Sequence, residues 1–543
     1  MCAIFLKSCL RAAEALESVL KSSYGPNGLD SLIVLHSGDV LMTNDGSTIL
    51  SCVDVQHPGG KTIIDAVTTF HGRHGNNSKA FVLMVTAALR NIVNRVDSVL
   101  ETARIGRQMI ASQKHVLESM ILPVLVQSSK KTSLTDCRAL HHVASDILKT
   151  QLNGKFSSSV RDFLSLLLLD FVNLLFRGEG SADSNVSEYV ARVIDLFPCC
   201  CTTVDGLSVR QSRVVDGIVI GRSVVFGIDK HNWHGGYFIL LKGDFTVSLP
   251  KSAHSTTLAT QSVSAVTEWQ QCYVAKTAAA LHSQGVTLLI MTGICPTSCI
   301  QSLLWHKIAV VPMVSEEDIE LYAEHLSLNI CSLPGVFDLP HNALYKYESI
   351  EQLALGKEDC VNIKGVSMKH MVLCAPTRGL AKVYYIALHN ALKCLRMWTQ
   401  LLSNSEMAMA VQGGGFVELL IDGVLRSKIL ENINVAPEYV DLAAVLQAAV
   451  LSIPKALIDN TTVGSKRART FLATCQRQTT GLNPVGITNV DRFSDVEDVE
   501  ILEPLYSKYC LLQDVTNLLG HLCQIESVVP VKCVHATHND DDK

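Results

Sequence analysis

A chain of 543 residues with 48% apolar and only 18% charged side chains is long enough for several domains, each with its own core, which excludes extensive disorder. A formal net charge of -5 and the lack of any Lys/Arg-rich run exclude a nucleic-acid surface. The 18 cysteines lie scattered through apolar segments, with Cys199-Cys200-Cys201 the one cluster and Cys295 and Cys299 the one close pair; with no CxxC pair they read as reduced, buried thiols of a cytosolic protein and exclude a disulfide frame or zinc site.

Met1 to Leu10 holds too short an apolar core for a signal peptide. From Arg11 to Ser22, apolar residues at Ala12, Ala15, Leu16, Val19 and Leu20 predict an amphipathic helix that ends at Gly25-Pro26. The loop Ser23 to Asp30 follows. Gly25 and Gly28 permit close backbone approach and Pro26 stiffens the turn, so free N–H groups there can converge on phosphate oxygens; taken alone, the loop is better read as a plain turn. Ser31 to Leu50 reads as a hairpin with polar turns at Ser37 to Asp39 and Asn44 to Gly46, and Asp45 is placed to cap a helix starting near Ser47. Helical spacing dominates Lys61 to Asn91 and Val99 to Val126, interrupted by Gly75-Asn76-Asn77-Ser78-Lys79.

Lys130 to Leu196 is mostly helical in pattern, and its apolar run Leu164 to Phe176 falls short of the ~20 residues that span a bilayer, so it predicts a buried helix. Past Cys201 the pattern changes to strands, clearest at Val214 to Gly221 and Tyr237 to Lys242, which marks a new domain. Helical Val266 to Ser283, strand-like Gly285 to Met291, helical Ile300 to His306 and strand-like Ile308 to Pro312 alternate as an α/β layer does. Later come Met371 to Gly379, Ala387 to Leu392, the triple glycine Gly413-Gly414-Gly415 before an apolar helix, Leu451 to Leu457, Ile501 to Pro504, a long helix from Cys510, and an acidic end, Asn539 to Lys543, that reads as a solvated tail.

The run from Ala12 to Leu50, with His57-Pro58 after it, resembles the first domain of the group II chaperonins, whose pattern is a helix, LGPKGMDK, a hairpin, TNDGATIL, HP and GDGTT. Val411 to Glu418 is similar to that family's GGGA-x-E turn, Leu451 to Leu457 to its IPxTLA segment, and Ile501 to Pro504 to its GVxEP turn. The resemblance runs from about Leu10 to Val531. It implies a multi-domain α/β fold with an all-helical base: an equatorial domain in two halves (1–127 and 404–543), an intermediate domain in two segments (128–203 and 365–403) and an apical, client-binding domain (204–364).

By the same resemblance ATP is the expected ligand, bound by Gly25, Pro26, Gly28, Asp45, Gly46, Gly75, Asn76, Asn77, Ser78, Lys79, Gly413, Gly414 and Gly415, with Glu503 near the ribose or adenine. Two departures argue against magnesium-dependent hydrolysis. The family's magnesium-binding Asp of GDGTT is Asn76 here, and an amide brings no charge to hold a hard cation. The Asp of SLHDAL that orients the attacking water is Asn390, which cannot accept a proton. Asp45 is the surviving acidic remnant, and no metal ligand is assigned. Lys79 has two readings, a cation offered to the phosphates or a solvated substitution in a decayed site.

Further expectations come from position. The family's N-terminal strand, which pairs with a neighbouring subunit, has about ten residues left here; a helical lid is expected near Ser248 to Gln261; and Leu303, Leu304 and Trp305 read either as core or as part of a client-binding surface. Leu281 to Ile290, Ser315 to Glu317, Val372 to Pro376, Ala387 to Leu392 and Ile453 to Lys455 are similar to the divergent Bardet-Biedl syndrome chaperonin-like group. That likeness implies BBSome assembly together with cytosolic chaperonin subunits and other Bardet-Biedl chaperonin-like proteins, BBSome subunits as clients, and a place in the cytoplasm at the centrosome or ciliary base, without nucleic acid or membrane insertion. Two alternatives stay open: an ATP-hydrolysing folding subunit that relies on Asp45, Lys79 and the loop glycines, and a structural interaction protein with a relic nucleotide site.

Overall fold

The computed structural model describes residues 2–25, 27–34, 40–96, 98–172, 186–222, 233–245, 263–332, 339–356, 358–400, 407–430, 436–460 and 501–526. Contacts divide the chain into two units, one of Met1–Leu169, Leu175–Val190 and Ala387–Lys543, the other of Asp170–Leu174 and Ala191–Ile386. Pro26, the turn at Ser37 to Asp39, the lid expected at Ser248 to Gln261 and the acidic tail lie outside the described residues.

In the first unit, helix α1 (Cys2–Lys21) begins nine residues before Arg11. Leu6 and Cys9 extend the buried stripe of Ala13, Leu16 and Leu20, so the helix takes in residues 2–10, where the family has its N-terminal strand. Strands β1 (Ser31–Val34) and β2 (Val40–Thr43) pair antiparallel with Leu32 opposite Met42. Then come α2 (Gly46–Cys52), α3 (Pro58–His74) and α4 (Ser78–Arg95), and α5 (Val99–Lys114) continues through a π-helical turn into α6 (Leu122–Ser128). Strand β3 (Lys130–Ser133), α7 (Cys137–Leu152) and α8 (Ser158–Val172) follow; the apolar run in α8 buries Leu164, Leu168 and Val172 as a core helix should.

The second unit takes in most of α9 (Val186–Leu196), then β4 (Cys201–Asp205), β5 (Arg213–Asp216), β6 (Ile218–Ile220), β7 (Trp233–Leu241), α10 (Val263–Ser283), β8 (Val286–Met291), α11 (Thr297–Trp305), β9 (Ala309–Val311), α12 (Glu316–Leu326), β10 (Tyr345–Leu355), β11 (Glu358–Lys364) and β12 (Lys369–Ala375). Six strands form one sheet in the order β6-β11-β10-β7-β8-β9, and three form another, β4-β12-β5. Strands β8 and β9 are adjacent and parallel across α11, the strand–helix–strand unit that the alternation predicts. Leu303 sits in the core of this unit with Leu281, Leu289 and Val310.

The chain re-enters the first unit within α13 (Arg378–Thr399) and adds β13 (Met407–Gln412), α14 (Phe416–Leu425), α15 (Pro437–Asp459), β14 (Leu502–Pro504) and α16 (Leu505–Gln524). Here the expectation of an all-helical base is corrected. Strand β13 pairs antiparallel with both β3 and β14, Ala408 opposite Thr132 and Val411 opposite Glu503. Three strands of three to six residues from distant parts of the chain carry too little local periodicity to be read singly. Helix α15 from Tyr439 to Asp459 is long and apolar enough to cross a membrane by length and composition, yet it is largely buried and packs on α4, α5 and α14. Among the described residues the cysteines are free thiols, most of them buried.

Candidate functional site

A cavity of about 790 Å³ opens in the first unit where the α1–β1 loop, the starts of α2, α4 and α14, the end of α7 and strand β14 meet. Gly25, Asp45, Gly46, Asn76, Asn77, Ser78, Lys79, Gly414, Gly415 and Glu503 line it, which brings ten of the expected residues together from five parts of the chain. Gly28, Gly75, Gly413 and Asn390 do not line it; they stand behind those that do. Gly28 donates its N–H to the Gly25 carbonyl at 3.1 Å. Gly75 ends α3 with φ +69°, and a Cβ there would lie 2.3 Å from the Asn390 carbonyl oxygen, so only glycine fits between α3 and α13. A Cβ on Gly413 would meet Glu503 Oε1 at 2.6 Å.

Asp45 is both the cap of α2 and a wall of the cavity. Its Oδ2 accepts from the Thr48 N–H and hydroxyl, each at 3.0 Å, and from the Ser47 hydroxyl, while Oδ1 faces Lys155 Nζ at 3.8 Å. Burial alone would raise this carboxyl, but Lys155, His71 and the hydrogen bonds outweigh it and hold it below the usual carboxylate range. Burial pushes His71 down to about 4, against the pull of Asp45 and a hydrogen bond with Asn390, so the imidazole is neutral at pH 7. Asn390 therefore reaches the cavity only through His71. It is itself buried, and its Nδ2 has no hydrogen-bond partner.

Lys79 points inward. Its ammonium donates to the Ser23 carbonyl at 2.5 Å and to Asn44 Oδ1, both neutral oxygens. Burial, with Lys155 nearby, lowers its pKa to about 7, opposed by Asp45 and Asp30. Gly46 makes room for its stem, since a Cβ there would lie 2.5 Å from Lys79 Cγ. Neither solvated nor ion-paired through its hydrogen bonds, Lys79 is a partly protonated amine held inside the cavity wall. Asn44 organises this corner: its Nδ2 lies 3.3 Å from the carbonyls of both Gly28 and Gly154.

Two helix N-termini meet the cavity without a side-chain cap. Asn77, with φ +65°, precedes α4 and gives its own N–H to Asn76 Oδ1 at 2.7 Å; Gly415, with φ +85°, precedes α14. Uncapped first-turn N–H groups are donors suited to an anion, and the helix dipoles add to them. On another wall, Lys508 Nζ bridges Glu418 Oε1 at 2.8 Å and Glu503 Oε2 at 2.7 Å. Burial lowers Lys508, but Glu418, Glu503 and Tyr24 outweigh it and hold it above the ordinary lysine value. Glu418 Oε2 is buried without a partner.

Sequence reasoning missed Lys149, Lys155, Arg161, His71, Asn44 and Lys508 as cavity residues. The one local signal was Asn153-Gly154-Lys155, a turn after an amphipathic helix that carries a cation to the same place as Asp45. Chemically the arrangement suits a polyphosphate. It offers a hard divalent cation few donors: Asn76 and Asn77 are neutral, and Asp45 accepts three hydrogen bonds on Oδ2 while Oδ1 faces Lys155. In the second unit, Leu303 is fully buried and is removed from any client-binding surface; Leu304 is half-buried and Trp305 is 86% exposed.

Comparison with known proteins adds the following. The model of the TCP-1/cpn60 chaperonin family matches residues 16–532. Thermosome subunit beta of Aeropyrum pernix is 24% identical over 462 residues, covering 84% of this chain and 78% of that protein. The BBSome complex assembly protein BBS10 of Pongo abelii is 25% identical over 430 residues, covering 72% of this chain and 57% of that protein. Human BBS10 is 25% identical over 453 residues, with 77% and 60% covered, so the match spans less than two thirds of these BBS10 proteins.

Proposed function

The chain belongs to the TCP-1/cpn60 chaperonin family, and on that premise we propose that it is a chaperonin-like factor for assembling the BBSome, working with cytosolic chaperonin subunits and other Bardet-Biedl chaperonin-like proteins in the cytoplasm, at the centrosome or ciliary base. Its BBSome clients are proposed from the name of its BBS10 relatives. The proposal keeps the three-domain division into equatorial, intermediate and apical parts and assigns client contact in the apical part to Trp305, the exposed member of its trio.

The observation that carries the proposal is a cavity lined for a polyphosphate with asparagine at Asn76 and, behind His71, at Asn390. ATP is held in this reading by Lys79, Lys155 and the starts of α4 and α14, with Glu503 toward the ribose or adenine, and hydrolysis is weak or lost because neither amide can take a proton from water. ATP then acts chiefly as a ligand that stabilises the folded chain.

A tagged pull-down from ciliated cells tests the assembly role. Recovery of cytosolic chaperonin subunits together with BBSome subunits is the expected result, and recovery of neither overturns it. The ionised Asp45 favours a second reading, a working ATP-driven folding subunit. Magnesium-dependent turnover that disappears in Asp45→Asn would establish that reading, and no turnover would retire it.

A further inference from the structure

Four carboxylates line the cavity, and each already has a cation: Asp45 faces Lys155 at 3.8 Å, Asp162 faces Arg161 at 2.8 Å, and Glu418 and Glu503 share Lys508. Against them stand five cationic side chains, Lys79, Lys149, Lys155, Arg161 and Lys508. That pairing leaves Lys79 and Lys149 without a carboxylate among the described residues, and of the two Lys79 is the one fixed in the wall, its hydrogen bonds going to a carbonyl and an amide oxygen. A magnesium ion bound with nucleotide ordinarily uses one or two carboxylates beside the phosphates. Here Asp45 Oδ2 already accepts three hydrogen bonds and Oδ1 faces Lys155, and the Lys79 amine is fixed by the wall of the protein.

We infer that this cavity takes its nucleotide as the metal-free polyphosphate anion, with the Lys79 ammonium and the two uncapped helix starts balancing charge that a divalent cation would otherwise balance. The inference rests on the nucleotide reading of the site and names the form of the ligand. It also explains why Asn76 is neutral, since a carboxylate beside uncomplexed phosphates would repel them. Burial lowers the pKa of Lys79 to about 7 in the free protein, and an arriving phosphate favours the charged amine. Binding is accompanied by proton uptake near pH 7.

The test is calorimetric titration of the full chain with ATP at pH 7, once in EDTA and once in excess magnesium, for the wild type, Lys79→Met and Asn76→Asp. Wild type is expected to bind ATP in EDTA at least as tightly as with magnesium. Lys79→Met is expected to lose about tenfold or more of the affinity in EDTA, roughly 1.4 kcal/mol or more. Asn76→Asp is expected to reverse the preference toward magnesium. Titrations in two buffers of different ionisation enthalpy should reveal proton uptake in the wild type and not in Lys79→Met. Binding that requires magnesium overturns this inference and leaves the nucleotide site standing; binding in neither condition removes both. Should Lys79→Met fail to fold, Asn76→Asp decides: an unchanged metal preference overturns the inference.

Discussion

Lys508 and Lys79 lie in walls of the same cavity, and each is taken largely out of water, but burial ends differently for the two. Lys508 is ringed by Glu418 and Glu503 and held above its ordinary pKa. Lys79 meets only the Ser23 carbonyl and Asn44 Oδ1, and its pKa falls to about 7. The first cluster satisfies itself and acts as a brace between α14, α16 and β14. The second is complete only when an anion arrives. A buried cation is thus no sign of a binding site until its counter-charges have been traced.

The sharpest way to break this contrast is to remove each amine in turn. Lys508→Met strands two carboxylates, one of them fully buried, and should cost about 3–5 kcal/mol of unfolding free energy in a urea titration. A loss below about 1 kcal/mol would show that Lys508 is no brace. Asp45→Ala, which removes the cap of α2 and the partner of Lys155, should cost about 1–2 kcal/mol by the same measurement. Lys79→Met should change stability at pH 7 by no more than about 1 kcal/mol, because two lost hydrogen bonds are offset by relief of desolvation.

The pH dependence separates the lysines further. Lys79 titrates near 7 in the folded chain and near 10.5 in the unfolded chain, so between those values the unfolded state holds more protons and stability rises with pH. The difference in stability between wild type and Lys79→Met should therefore shift toward the wild type from pH 7 to pH 10. A difference that stays flat over this window would mean that Lys79 is not desolvated. The smallest effect belongs to Trp305, which is 86% exposed. Trp305→Ala should leave the melting transition within about 0.5 kcal/mol of wild type, so that any loss of client capture reports on the surface alone.

How much of this was legible depends on the length of chain over which each signal is written. The loop from Ser23 to Asp30, the Asp45 turn, the break at Gly75 to Lys79 and the triple glycine are local, because turns and helix starts demand particular residues within a few positions. Their gathering in one cavity followed from their resemblance to a known order of motifs, and the structure brings most of them together. Strands β3 and β14 were not legible, being too short to carry a period. The helix was read only from Arg11, although Leu6 and Cys9 continue its buried stripe toward the N-terminus.

By itself the sequence determined the family, the alternation of strand and helix through the second unit, and the presence of asparagine at positions 76 and 390. These are matters of residue identity and short-range order. Only the tertiary structure decided what Lys79 is, because its state depends on groups 35 and 56 residues away in the chain, Asn44 and Ser23. Lys155 beside Asp45 and Lys508 between Glu418 and Glu503 were decided in the same way. Charge interaction falls with distance in space and ignores distance along the chain, so the electrostatics of the cavity exist only once the fold has closed it.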